Sequence, residues 1–139
     1  MTSIENGTDK LQAGTETIMV AEDEEDYLVT CRILLEKLGY TVITATTPAE
    51  AICLAEKYQG DIHLLITDVV MPEMNGRELM EKISIIRPGL KCIYMSGYPA
   101  NVISHHGIVD DVLNFLEKPF SRKTIAVKVR EVLDSDFRR

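Results

Sequence analysis

Positive charge is scarce in these 139 residues: 15 lysines and arginines stand against 22 aspartates and glutamates, a formal net charge of −7. A surface of that sign is repelled by phosphate backbones, which speaks against nucleic-acid binding by this chain. Long apolar runs are missing as well. Nothing approaches the ~18 consecutive apolar residues of a membrane span. The first residues are too polar for a secretory leader, so a cytoplasmic location without membrane contact is expected. Only three cysteines occur, Cys31, Cys53 and Cys92, an odd number at wide spacing. Each lies in an apolar run, and all three are expected to be reduced core thiols rather than a disulfide framework. There is no glycine-rich phosphate loop or Walker motif to support a kinase site, no internal repeat and no low-complexity tract.

What remains is one domain's worth of chain, 45% hydrophobic, enough to bury a single core. Residues 1–16 are polar, with Asn6, Gly7, Thr8 and Gly14, and are expected to form a flexible linker or arm. The folded domain is expected over residues 17–134, with a tail at 135–139. Within it five short apolar runs, 18–21, 41–45, 63–67, 91–95 and 112–116, alternate with helical patterns. That alternation predicts an α/β fold with a five-stranded parallel sheet and about five helices on its two faces. Leu28, Cys31, Leu35 and Leu38 form one helical stripe, ended by Gly39. Thr47, Pro48 and Glu50 predict a capping box with proline in the first turn. Leu79, Met80, Ile83 and Ile86 form a stripe stopped by Pro88 and Gly89, and Ile125, Val129, Val132 and Leu133 form the last, after Ser121. The pattern near 100–106 is short and the least amphipathic.

Right-handed crossovers give such a sheet the order 2-1-3-4-5, the flavodoxin-like doubly wound arrangement, with a ligand crevice outside the carboxyl ends of strands 1 and 3. The first strand runs into Glu22, Asp23 and Glu24, and the third into Asp68. Carboxylates ~4 Å apart repel by about 4 kcal/mol at an effective dielectric near 20, so protons or a hard cation must compensate. All-oxygen ligands favour Mg²⁺. Glu24 and Glu25 are read as favouring the dipole of the next helix. Lys118, before Pro119, can reach back over the crevice, and Ser96, before Gly97, adds a hydroxyl at the same edge. His105 and His106 are adjacent on a short helix and point ~100° apart, a poor chelating pair; His63 is read as structural.

These residues resemble the response-regulator receiver family of bacterial two-component signalling over about residues 17–133. The motifs are Val20-Ala21-Glu22-Asp23-Glu24, Leu65-Ile66-Thr67-Asp68-Val69-Val70-Met71-Pro72-Glu73-Met74-Asn75-Gly76, Met95-Ser96-Gly97-Tyr98 and Phe115-Leu116-Glu117-Lys118-Pro119-Phe120. The resemblance implies that Asp68 is the phosphoacceptor and that Asp23 and the Val70 backbone carbonyl are ligands of Mg²⁺, or of Mn²⁺ in its place. Glu22 would hold the ion directly or through water. Lys118 would pair with the phosphoryl group, Ser96 would donate a hydrogen bond to it, and Phe115 is the switch aromatic. The implied partner is a sensor histidine kinase or a histidine phosphotransfer domain. Phosphorylation would remodel the face made by the fourth helix, fifth strand and last helix, a surface for phosphorylation-dependent dimerisation. The chain would be a phosphoacceptor with self-catalysed transfer and hydrolysis, not a turnover enzyme.

Two departures stand out. Glu22 occupies a place where the family often has aspartate, and neither Val70 nor Tyr98 offers a charged group to orient water, which implies slow loss of the phosphoryl group. The runs Gly14-Thr15-Glu16-Thr17 and Tyr94-Met95-Ser96-Gly97-Tyr98 resemble receivers at the end of hybrid sensor histidine kinases, an implied membrane-bound parent to which the domain would be tethered. With only a short polar tail after Leu133, the chain is expected to be either an excised receiver or a single-domain regulator. Two rival functions remain. A haloacid-dehalogenase-like phosphohydrolase needs a second aspartate where Val70 stands, and a degenerate receiver would act as a phosphorylation-independent interaction module.

Overall fold

The computed structural model describes residues 13–97 and 114–135, and in it the alternating patterns become five parallel strands and, among the described residues, four helices. In chain order these are β1 (Thr17–Ala21), α1 (Glu25–Lys37), β2 (Thr41–Ala45), α2 (Pro48–Lys57), β3 (Leu64–Asp68), α3 (Gly76–Ile86), β4 (Lys91–Ser96), β5 (Phe115–Glu117) and α4 (Arg122–Asp134). The sheet order is β2-β1-β3-β4-β5 with every pairing parallel, as the sequence predicts. The weak helical pattern near 100–106, with His105, His106 and Tyr98, lies outside the described residues. So do the first two residues of the predicted fifth strand, and β5 begins at Phe115. Among the described residues no helix is long and apolar enough to cross a membrane.

Successive strand side chains point to opposite faces, and that period sorts the core into two layers. Ile18, Val20, Leu64, Ile66, Ile93, Met95 and Leu116 pack with Leu28, Cys31 and Leu35 of α1 and Ile125, Val129 and Val132 of α4. Met19, Ala21, Leu65 and Cys92 pack with Ala51 and Ala55 of α2 and Leu79, Met80 and Ile83 of α3. The helix after β1 therefore covers one face and the helix after β3 the other, which opens a crevice between these neighbouring strands. Leu35 is fully buried, and truncating such a residue to alanine costs about 2–5 kcal/mol.

Helix ends follow local chemistry, with two corrections to the sequence expectations. At α2 the Thr47 hydroxyl oxygen accepts from the Glu50 N–H at 3.1 Å. The Glu50 carboxylate, however, takes the Thr46 N–H at 2.6 Å rather than that of Thr47, so the box is only half formed. A complete capping box lies at α3, where Asn75 Oδ1 accepts from the Glu78 N–H (2.8 Å) and Glu78 Oε1 from the Asn75 N–H (3.0 Å). Cys31 and Cys92 are buried, and desolvation pushes both thiols up to about 12. Cys53, expected in the core, is exposed. Ala51 and Ala55 face the sheet, and a residue two positions from each points about 200° away on a helix.

Two arginines tie elements together at the far end of the sheet. Arg87 donates to the carbonyls of Ala55 (2.9 Å), Tyr58 (2.7 Å) and Gly60 (2.6 Å), closing the end of α2. Arg130 of α4 binds Glu16 in a fork (2.7 and 3.2 Å), Asp134 (2.8 Å), the Tyr40 hydroxyl (3.1 Å) and the Ala13 carbonyl (3.2 Å). Gly39, at φ +104°, ends α1 beside them, and a Cβ there would stand 2.5 Å from the Gly14 carbonyl oxygen.

Candidate functional site

Backbone ladders continue past the strand ends and fix four side chains at one edge. The Glu22 N–H donates to the Ala45 carbonyl at 3.0 Å, the Val69 N–H to Met95 at 2.9 Å and the Lys118 N–H to Ser96 at 2.7 Å. Glu22, Asp68 and Ser96 are thereby buried at the carboxyl ends of β1, β3 and β4. Lys118 follows β5, and its peptide bond to Pro119 is cis. The Asp68 backbone is held from below. Its carbonyl accepts from the buried Thr67 hydroxyl at 3.0 Å. Gly76, the first residue of α3, comes so close that a Cβ there would sit 2.3 Å from the Asp68 carbonyl oxygen. Only glycine permits that approach.

The side chains converge on one cation. Lys118 Nζ lies 2.5 Å from Glu22 Oε1 and 3.0 Å from Asp68 Oδ1. Glu22 Oε2 accepts from the Glu24 N–H at 3.0 Å. Asp23 is exposed, and one carboxylate oxygen from each of Glu22, Asp23 and Asp68 lies within 4.8 Å of the others. Burial works against the charge of Glu22, but hydrogen bonds with Asp68, Lys118 and the Glu24 N–H outweigh it and hold that carboxyl below its ordinary range. Asp68 is pushed the other way, up to about 8, first by burial and then by the hydrogen bond it shares with Glu22. Lys118 is raised because its two carboxylate partners outweigh its desolvation. One ammonium therefore balances Glu22 and leaves Asp68 and Asp23 without a full counter-charge. A hard divalent cation fits a donor set of this kind: all oxygen, three carboxylates and partly open to water.

The structure thus brings together Glu22, Asp23, Asp68 and Lys118, with Ser96 buried at the end of β4 and joined to Lys118 through its backbone carbonyl. Val70, two residues past Asp68, is 50% exposed. Phe115 is half-buried and packs against Val69, the residue after Asp68. One aromatic neighbour of the site escaped sequence reasoning. Lys118 Nζ stands 4.4 Å from the centroid of the Tyr27 ring, and that ring meets Phe120 edge-on, centroids 5.5 Å apart at 69°. Tyr27 falls in the first turn of α1, and no spacing rule links it to Lys118. Asn75 and Glu78 had a readable signal, the Asn-x-x-Glu spacing before an apolar stripe.

The family model described as the response regulator receiver domain matches residues 18–130. The sensor kinase CckA of Brucella abortus is 34% identical over 131 residues, 94% of this chain and 14% of that protein. The response regulator SaeR of Staphylococcus aureus is 25% identical over 116 residues, 84% of this chain and 50% of that protein. The chain therefore spans half or less of the length of these relatives. The crystal structure of the receiver domain from the hybrid histidine kinase CckA superposes with a TM-score of 0.71 at 33% identity, covering 85% of this chain and 99% of that one. With a family match across most of its length and its carboxylates gathered at the switch point of a five-stranded parallel sheet, the chain belongs to the response regulator receiver domain family.

Proposed function

We propose that Asp68 accepts a phosphoryl group from a phosphohistidine on a sensor histidine kinase or a histidine phosphotransfer domain. The supporting observation is the position of this one buried carboxylate, at the end of β3 between Glu22 and Lys118. An Asp68 oxygen forms the new bond to phosphorus while the bond from phosphorus to the histidine nitrogen breaks. The departing imidazole carries off the electron pair and takes up a proton. Lys118 stays on a phosphoryl oxygen and offsets charge there throughout the in-line transfer.

Asp23, Asp68 and the Val70 carbonyl would hold Mg²⁺, or Mn²⁺ in its place. Glu22 would reach it through water, since its two oxygens already accept from Lys118 and the Glu24 N–H. The bound ion would supply positive charge that keeps Asp68 ionised and draws charge from the phosphoryl oxygens. The phosphoryl group brings up to two charges into the pocket. Ser96 and Lys118 respond, and space opened by Ser96 lets Phe115 turn inward. Moving such a switch from 1:99 to 99:1 takes about 5.5 kcal/mol, which two or three charge-assisted hydrogen bonds of about 1.5–3 kcal/mol each supply. Pairing of phosphorylated copies through the face that includes β5 and α4 belongs to the same proposal, as do a domain spanning residues 17–134 and a cytoplasmic place for that domain, tethered to a membrane-bound hybrid kinase.

The test is intact-mass analysis after incubation with acetyl phosphate and Mg²⁺. One phosphoryl group should appear, be absent with EDTA and be absent in Asp68→Asn. Stoichiometric labelling of that variant would sink the assignment.

A further inference from the structure

We infer that Tyr27 is a positioning residue for phosphoryl transfer: its ring face seats the Lys118 ammonium over the pocket, between the Glu22 and Asp68 carboxylates. The inference deepens the phosphoacceptor function proposed above and rests on it.

Lys118 sits on a flexible four-carbon stem just past β5, a strand of three residues at the sheet edge. Two sides of its ammonium are held by carboxylates, at 2.5 and 3.0 Å. Another is covered by the Tyr27 ring at 4.4 Å, inside the ~6 Å over which an aromatic face attracts a cation. The ring is itself braced. It meets Phe120 edge-on, with centroids 5.5 Å apart. Tyr27 therefore engages both sides of Pro119, the charge of Lys118 before it and the ring of Phe120 after it. Its own backbone starts only a few residues beyond Glu22 and Asp23, so a single segment carries the acid pair and the platform for their counter-charge.

The chemistry of the platform matters more than its bulk. A carboxylate in its place would bind one of the three N–H donors of the ammonium and compete with an arriving phosphoryl oxygen. An aromatic face attracts the whole charge without claiming a donor direction. Lys118 can then swing from Asp68 toward a phosphoryl oxygen while still resting on the ring. The ring also keeps water from that side of the ammonium, which leaves its charge less screened.

The experiment compares acetyl phosphate labelling rates, at saturating donor and Mg²⁺, for the wild-type protein, Tyr27→Phe, Tyr27→Leu and the protein with a trifluorinated phenylalanine at position 27. Fluorination drains the ring face of negative charge and leaves its shape nearly unchanged, so folding is not at issue for that member. Tyr27→Phe should label at close to the wild-type rate, and Tyr27→Leu and the fluorinated protein about three- to tenfold more slowly. Mg²⁺ affinity by calorimetry should stay the same throughout. The inference is overturned if the fluorinated protein matches Tyr27→Phe, if Tyr27→Phe slows as much as Tyr27→Leu, or if rate and Mg²⁺ affinity fall together. Absence of labelling in the wild-type protein overturns the phosphoacceptor function itself, a result distinct from any of these.

Discussion

Two groups of charges sit at opposite ends of the sheet, each one cation with two carboxylates in reach, and they behave in opposite ways. At the amino end Arg130 pairs with Glu16 and Asp134; at the carboxyl end Lys118 pairs with Glu22 and Asp68. Glu16 is pulled down to about 2, chiefly by its hydrogen bonds to Arg130, whereas Asp68 is pushed up to about 8, chiefly by burial. The cause is the balance between desolvation and pairing. Asp134 is 64% exposed and Arg130 offers a planar fork with several donors, so water and geometry satisfy every group. Glu22 and Asp68 are enclosed, and the ammonium is a point charge that cannot neutralise both. The first cluster closes on itself, while the second is left needing a further cation. That need marks a site rather than a brace.

The largest test of this contrast is Asp68→Asn in metal-free buffer. With its pKa raised from 3.8 to about 8, Asp68 binds a proton in the folded state that it lacks in the unfolded chain between those values. Stability therefore falls as pH rises through that window. Urea melts in EDTA should show Asp68→Asn gaining on the wild type from pH 4 to pH 8, by about 2–4 kcal/mol at the upper end. A constant difference between the two proteins across that range would refute the electrostatic account.

At the opposite end, Arg130→Met should cost about 1–3 kcal/mol of stability, because it removes a set of charge-assisted hydrogen bonds. The acetyl phosphate labelling rate should stay within about twofold of wild type, as distant sites are nearly independent. A large loss of labelling there would show that the two clusters are coupled. The smallest effect belongs to Glu16→Gln. A carboxyl lowered from 4.5 to about 2 contributes stability that is present above the first value and lost as pH falls through the second. Screening at this partly exposed position limits that to about 1 kcal/mol, seen as acid melts of variant and wild type that converge near pH 2.

Much of this could be read in the sequence, because strand ends and acidic clusters are local patterns and crossover handedness joins them into one crevice. Glu22, Asp23, Asp68, Ser96 and Lys118 needed no more than that. Cys53 was misplaced because Ile52 and Leu54 make its surroundings apolar in sequence, while the helical period turns it away from the sheet. Thr47 and Glu50 have the spacing of a capping box, yet the Glu50 carboxylate settled on Thr46, which offers it both a backbone N–H and a hydroxyl. The partners of Arg87 are backbone carbonyls, which carry no residue signature. Tyr27 meets Lys118 only because α1 and the segment after β5 share a face of the sheet, a relation of tertiary structure with no local motif.

Cys53 also has a practical side. Of the chain's three thiols, two are buried with their ionisation suppressed, and this one alone faces solvent. It projects from α2, which lies with α3 on the face of the sheet opposite α1 and α4. A thiol-reactive fluorophore would therefore attach at a single defined point, and its emission could follow the domain in real time without a dye beside the carboxylates or the lysine.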